Sequence, residues 1–305
     1  MSAVREEALT RGISAETVEA ALGHLAPLPV AVERDRTQPE ETLTLDTYIT
    51  RHLTSKVIKS ARAAATADTA LLDRVSTAYG VAAPMLVSIW GMESNFGQFT
   101  GTRPIVAALA TLAYDGRRAL FRSELFDALT ILDRKHITLE DLKGSWAGAM
   151  GQPQFMPSSY LQYAVDFDGD GRADIWTSRA DVFASIANYL KEHGWKSGDR
   201  WGREVRATKA VLARIDAAVP MRPGGCKAVR ELTDMRPLSE WRRLGVTLTN
   251  GQPLPASDLE ASLVRDDKRH FLVYGNYDAI LGYNCANAYA ITVGLLADEI
   301  ASSYK

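Results

Sequence analysis

From Val81 to Met92 the chain reads VAAPMLVSIWGM, a run with no ionisable side chain. Pro84 near its start suits a first helical turn, where the missing N–H removes no bond. The pattern predicts a buried helix with Glu93 near its C-terminus. Arg117 to Arg134 places Leu120, Phe121, Leu125, Phe126, Leu129 and Leu132 at helical spacing. Ser14 reads as an N-cap before a helix from Ala15 to Leu25, and Ser55 starts a long helix that Gly80 terminates. Further helices are expected from Asp181 to His193 and, buried, over the apolar run Ala288 to Ala297. That last run is about half of what a bilayer span needs. After Gly194 the pattern changes. Short β-like runs at Ala210 to Ile215, Leu259 to Val264 and His270 to Tyr274 are broken by Pro220, Pro223, Gly224, Gly225, Asn250, Gly251 and Pro253. The expected fold class is α+β, mainly α, with a small mixed β insertion before the chain returns to helix after Asn284.

Composition narrows the class without choosing a function. The 305 residues are 46% hydrophobic and 24% charged, ordinary for a globular chain with a large core. A formal net charge of -2 and the absence of a Lys/Arg cluster on one face argue against nucleic acid as a partner. His24, His52, His136, His193 and His270 are scattered without zinc-ligand spacing. The start, Met-Ser-Ala-Val-Arg-Glu-Glu, has acids where a signal peptide needs a positive, then apolar, segment. The expectation is a cytoplasmic protein or a targeting segment outside this sequence. Cys226 and Cys285 are compatible with two buried thiols or with one bridge.

Three runs carry chemistry. The first is Trp90-Gly-Met-Glu-Ser-Asn-Phe-Gly97, where burial and the negative end of a helix dipole would favour the neutral form of Glu93, as a general acid requires. A carboxylate that only caps or bridges at a helix end is the plain alternative. The second runs from Lys143 to Ser159, KGSWAGAMGQPQFMPSS, in which glycines and prolines interleave with Ser145, Met150, Gln152, Gln154 and Phe155. Amides beside aromatic rings suit a polyhydroxylated ligand; a packed structural loop before a helix begun by Pro157 would look the same. The third, Asp166 to Trp176, places Asp166, Asp168, Asp170 and Asp174 at positions 1, 3, 5 and 9 of a calcium loop, with glycine at 6 and Arg172 at 7. Position 12 is Thr177, and Asp181 is the nearest later carboxylate able to close the loop. The competing reading is an Asp/Gly turn held by its own side-chain to backbone bonds.

In this order the three runs, with the Gln38-Pro39-Glu40 region and Tyr283-Asn-Cys-Ala-Asn-Ala-Tyr-Ala290, resemble the lytic murein transglycosylases of the membrane-bound lytic transglycosylase B family. The resemblance implies a lysozyme-like helical core and cleavage of the β-1,4 bond between N-acetylmuramic acid and N-acetylglucosamine in peptidoglycan. It makes Glu93 the catalytic acid/base. Ser145, Met150, Gln154 and Phe155 would then contact substrate, Gln154 by orienting the acetamido group, while Tyr189, Tyr283, Asn284 and Tyr289 shape the cleft walls. Asp166, Asp168, Asp170, Arg172, Asp174 and Asp181 would hold calcium in a structural role, with no organic cofactor. The implied division is an N-terminal helical part at 1–80, a catalytic core with the EF-hand-like loop at 81–200, the β insertion at 201–275 and a C-terminal helix at 276–305. Two departures touch subsite contacts: Gly151-Gln152-Pro153-Gln154, where relatives commonly read Gly-Tyr-Gly-Gln or Gly-Pro-Ser-Gln, and Cys285 in the Tyr-Asn motif.

An ordinary glycosidase needs two carboxylates, and the sugar-cleft motifs contain one. A single acid suffices if the muramic C6 hydroxyl is the nucleophile, which yields a 1,6-anhydro product. The alternatives are a lysozyme-type hydrolase, with Asp115 or Asp133 positioning water, and a non-catalytic glycan-binding module. Glycan strands are the expected partner, a monomer the expected state and the periplasm the implied location. The start shows no lipid-anchoring cysteine, so the expectation is that membrane attachment is not supported by this sequence.

Overall fold

The computed structural model describes residues 2–37, 43–266 and 268–304, so the Gln38-Pro39-Glu40 segment lies outside the described residues. Contacts group the chain into two units, one of Met1–Thr42 with Ile89–Asn188, the other of Leu43–Ser88 with Tyr189–Lys305. Helices dominate both. No single helix among the described residues is long and apolar enough to cross a membrane.

In the first unit the helices Ile105–Asp115 and Leu120–Asp133 pack against one another, and Pro157–Tyr163 packs on the second of them. The apolar stripe read from sequence is the reason: Phe121, Leu125, Phe126 and Leu129 are all buried, although Leu120, at the helix start, is exposed. Gly116 ends Ile105–Asp115 in the left-handed conformation, at φ 72°. The N-terminal helices Ser2–Thr10, Ala15–Leu22 and Pro29–Thr37 cover this pair. Ser14 caps the second of these by accepting from the Thr17 N–H, as expected, but the helix stops at Leu22 rather than Leu25. Gly23 and then Pro27 disfavour further helical turns.

The second unit holds a five-stranded sheet in the order Arg236–Pro237, Glu260–Arg265, His270–Val273, Gly202–Arg206, Thr247–Leu248, with every neighbour antiparallel. Its core comprises Val205, Leu263, Leu272 and Tyr274 from the strand region, with Val211, Ile215 and Trp241 from the helices Lys209–Ala218 and Leu238–Leu244. The β-like run Ala210 to Ile215 is therefore a helix. Val211 and Ile215 are spaced by four and share one buried face, and Thr208 caps the start. The long helix expected from Ser55 to Gly80 is two, Ser55–Ala67 and Thr69–Tyr79, broken at Asp68, which leaves helical geometry at φ -111°, ψ 19°. Asp and Thr favour helix boundaries over interiors, and an alanine-rich run hides the break from a periodicity argument. The C-terminal helix Asn287–Ala301 packs on Leu45–His52 and Ser55–Ala67 and accepts at Val293 O a 2.7 Å bond from buried Ser88. Cys226 and Cys285 form a disulfide, with Cα atoms 6.4 Å apart.

Candidate functional site

The charge-free run forms the helix Ala83–Ser94, and Met85 to Trp90 are nearly or wholly buried. Glu93 is half-buried in its last turn. The residues around Glu93 close the helix end. Ser94 is 1% exposed; its hydroxyl donates to Trp90 O at 3.1 Å and accepts from the Gly97 N–H at 3.0 Å. Asn95, Phe96 and Gly97 all take left-handed backbone, at φ 48°, 60° and 80°. For two non-glycine residues in a row this costs roughly 1–3 kcal/mol each, a strain that surrounding structure must impose.

Two close approaches impose it. The Phe96 ring meets Trp90 edge-on at 5.7 Å and lies against Gly91, where an added Cβ would sit 2.5 Å from the ring. Gly97 lies against the Gln152 side chain, whose Oε1 would be 2.5 Å from such a Cβ. Gln152 is the bridge of the site: Oε1 accepts from Trp90 Nε1 at 2.8 Å and Nε2 donates to Trp176 O at 2.8 Å. One buried amide thus ties the Glu93 helix, the glycine-rich loop and the end of the Asp loop together.

The glycine-rich loop folds on itself. Met150 and Phe155 exchange backbone bonds of 2.9 and 3.1 Å and are buried, at 0% and 2% exposure. Ser145 Oγ accepts from the N–H groups of Ala147 and Ala149. Gln154, left-handed at φ 52°, donates from Nε2 to Gly151 O at 2.8 Å and Thr100 O at 3.1 Å. Its amide nitrogen is turned to the protein backbone, where the sequence suggested a sugar. The loop leads into Pro157–Tyr163, with Pro157 at its first position as expected. Glu124, 2% exposed, caps that helix by accepting from the Ser158 N–H at 2.9 Å and hydroxyl at 2.7 Å. Burial pushes the Glu124 carboxyl above the usual carboxylate range, although both Ser158 bonds pull the other way.

In the third run, carboxylate oxygens of Asp166, Asp168 and Asp181 lie within 4.8 Å of one another. Asp181 is fully buried and accepts from the N–H groups of Phe167, at 2.8 Å, and Asp174, at 2.7 Å. Asp166 accepts from Gly169, Asp170 and Gly171. Asp174 does not join the group. Its oxygens accept from the backbone of Trp176 and Thr177, the Thr177 hydroxyl and the Arg172 guanidinium. Burial pushes the Asp174 carboxyl up, yet these bonds outweigh it and hold the group below the usual range. Asp170 accepts from the Arg172 N–H. The donor set of three converging carboxylates fits a hard cation such as calcium, which takes oxygen ligands only.

Tyr189, Tyr283, Asn284 and Tyr289 belong to the second unit. Tyr189 and Tyr283 meet ring to ring at 4.8 Å, and the Tyr189 hydroxyl donates to Gly282 O at 2.7 Å. Asn284 is exposed, beside the disulfide, and Tyr289 is buried. Glu124 was missed, and Gln152 was named for its amide without the bridging role it has here. Gln152 was visible as a second amide in a glycine-rich loop; Glu124 looked like any polar position on an amphipathic helix.

The sequence profile of the family described as Transglycosylase SLT domain matches residues 1–298. The chain belongs to that family. The SLT-domain chain is 37% identical over 236 residues to membrane-bound lytic murein transglycosylase B of Escherichia coli K12, which covers 75% of this chain and 60% of that relative. It thus spans less than two thirds of the curated relative's length. Among solved structures, SltB3 of Pseudomonas aeruginosa in complex with NAG-anhNAM-pentapeptide superposes with TM-score 0.87 at 42% identity, covering 100% of this chain and 79% of that one. Escherichia coli Slt35 in complex with calcium superposes with TM-score 0.81 at 29% identity, covering 99% and 93%. The SLT-domain assignment agrees with the resemblance drawn from the motifs, and the fold is mainly helical with a small sheet.

Proposed function

We propose that this chain is a peptidoglycan lytic transglycosylase that cleaves the β-1,4 bond from N-acetylmuramic acid to N-acetylglucosamine and leaves 1,6-anhydromuramic ends. The observation that carries the reading is the locked end of the Ala83–Ser94 helix, where Ser94, Phe96, Gly97 and Gln152 are all engaged in holding the turn that follows Glu93. A product-like NAG-anhNAM ligand in the related SltB3 supports the same chemistry. Glu93 protonates the glycosidic oxygen. As carboxylate it then takes the proton from the muramic C6 hydroxyl, whose oxygen attacks C1 while the bond to the leaving sugar breaks. A fixed position of the acid relative to both oxygens is what the rigid turn contributes. Ser145, Met150, Gln154 and Phe155 belong to the substrate-binding loop of the first unit, and Tyr189, Tyr283, Asn284 and Tyr289 are the substrate-binding residues of the second. The catalytic part is placed at 81–200, with glycan strands as partner, a monomeric state and a periplasmic location.

The two carboxylates named for a hydrolase, Asp115 and Asp133, are already committed. Asp115 pairs with Arg36 at 2.5 Å and Arg117 at 2.7 Å, and those bonds hold its carboxyl below the usual range. Asp133 accepts from Ser14 and Thr17, which lower it likewise. Both are poor bases, which supports the single-acid reading. Calcium would be held by Asp166, Asp168 and Asp181, where it supplies charge neutralisation and a tie from the loop to the helix Arg179–Glu192. Mass spectrometry of digested peptidoglycan tests the function. Anhydro ends are expected; reducing ends would make the enzyme a hydrolase, and intact sacculi would remove the activity.

A further inference from the structure

We propose that Phe99 is a carbohydrate-stacking residue, a platform for a saccharide ring of the strand on which Glu93 acts; this rests on the function proposed above. Phe99 is 69% exposed. A single exposed apolar side chain is unremarkable on most surfaces, but the backbone that carries this one is held on every side. The Phe99 N–H donates to Ser94 O at 2.9 Å, which ties it to the residue next to Glu93. Before it, Asn95 Nδ2 donates to Gln98 Oε1 at 3.0 Å across the left-handed turn. After it, Gln154 Nε2 holds Thr100 O at 3.1 Å.

Gly101, at φ 88°, lies so close to the Gly144 backbone that an added Cβ would be 2.1 Å from its carbonyl, and Arg103 then pairs with Gly144 in a short antiparallel ladder. The motif turn and the glycine-rich loop therefore present one large aromatic ring to solvent with its main chain already ordered. Binding to such a ring costs little further backbone entropy. The ring matches the apolar C–H face of a pyranose, and its lack of a hydroxyl leaves stacking as its means of recognition. Anionic ligands gain nothing from the negative face of the Phe99 ring. A neutral sugar ring is the occupant that both the chemistry and the position beside Glu93 favour.

The test is steady-state cleavage of purified glycan-peptide fragments of defined length by wild type, Phe99→Ala and Phe99→Trp, with melting temperatures taken on the same preparations. Phe99→Ala is expected to raise KM about tenfold with kcat within about twofold, and Phe99→Trp to restore KM. Melting temperatures should stay equal, because the side chain is exposed. An unchanged KM in Phe99→Ala overturns the proposal, as does a lower kcat at unchanged KM or a tryptophan variant no better than alanine. If wild type itself releases no anhydro fragments, the function proposed above fails and the subsite with it. Normal wild-type cleavage with an indifferent Phe99→Ala removes the subsite alone.

Discussion

The Glu93 turn with its glycine-rich partner loop and the Asp166 to Asp181 loop lie in the same unit and are both glycine-punctuated, yet they are finished in different ways. In the first, strained backbone at Asn95 and Phe96 is enforced by buried contacts to Trp90, Gly91 and Gln152. In the second, three carboxylates converge with backbone N–H groups as their main partners. Like charges so close repel, and amide dipoles offset that only in part. The first loop is complete with protein atoms alone, whereas the second has the chemistry of a site completed by a cation. On the proposed function, the turn that aims the acid is rigid by its own contacts, while the loop that only holds chain together would be completed by calcium.

The sharpest break of that contrast is Glu93→Gln. The amide keeps the shape and cannot shuttle a proton, so release of anhydro ends should fall about 10²–10⁴-fold, with the melting temperature unchanged. Activity within about tenfold of wild type would move the acid/base role elsewhere.

Next come two glycines with similar backbone angles. Gly101→Ala forces a Cβ onto the Gly144 backbone at φ 88° and is expected to cost about 2–4 kcal/mol in denaturant unfolding. Gly169→Ala, at φ 81° in the Asp loop, meets nothing within 4 Å and should cost about 1 kcal/mol, the left-handed penalty alone. Equal costs would deny the first loop its tighter packing.

Calcium should raise the melting temperature, by the equivalent of about 2.7 kcal/mol at a hundredfold excess over Kd, and Asp168→Ala should abolish the rise while leaving cleavage intact. Identical melting curves in chelator and in excess calcium would make the loop self-sufficient.

The smallest effect concerns pH. Burial raises the folded-state pKa of Glu124 above its unfolded value, so its ionisation opposes folding. That opposition is fully present above the raised pKa and fades as pH falls toward the ordinary carboxylate range. Glu124→Gln should therefore flatten the stability profile of the calcium-free protein across that window. A variant with the wild-type slope would show that Glu124 does not titrate there.

Much of this was legible in sequence, for reasons that differ by element. A long charge-free run ending in one carboxylate announces the Glu93 helix, and Ser14 and Pro157 mark helix starts by local chemistry alone. The strands Glu260–Arg265 and His270–Val273 fall close to their expected runs because each is a short, largely apolar stretch bounded by polar turn residues. Lys209–Ala218 was not legible as a helix, since Val211 and Ile215 declare their common face only once a core exists for them. The direction of the Gln154 amide, the cap from Glu124 to Ser158 and the bridge made by Gln152 all depend on partners distant in the chain. Local pattern names such residues as polar without saying whether they face ligand or backbone. The disulfide was equally hidden, because two cysteines 59 residues apart carry no local sign of meeting.

That disulfide gives the second unit a covalent topology of its own. Residues 226 to 285 form a closed ring, which contains four strands of the sheet: Arg236–Pro237, Thr247–Leu248, Glu260–Arg265 and His270–Val273. The fifth, Gly202–Arg206, comes from outside the ring and is inserted between two strands that belong to it. Closing a ring of this size removes about 4 kcal/mol of chain entropy from the denatured ensemble in the loop-closure model. The sheet is thus a tethered loop that has admitted one guest strand. A single backbone cut inside the ring would leave the polypeptide in one piece until the sulfurs were reduced.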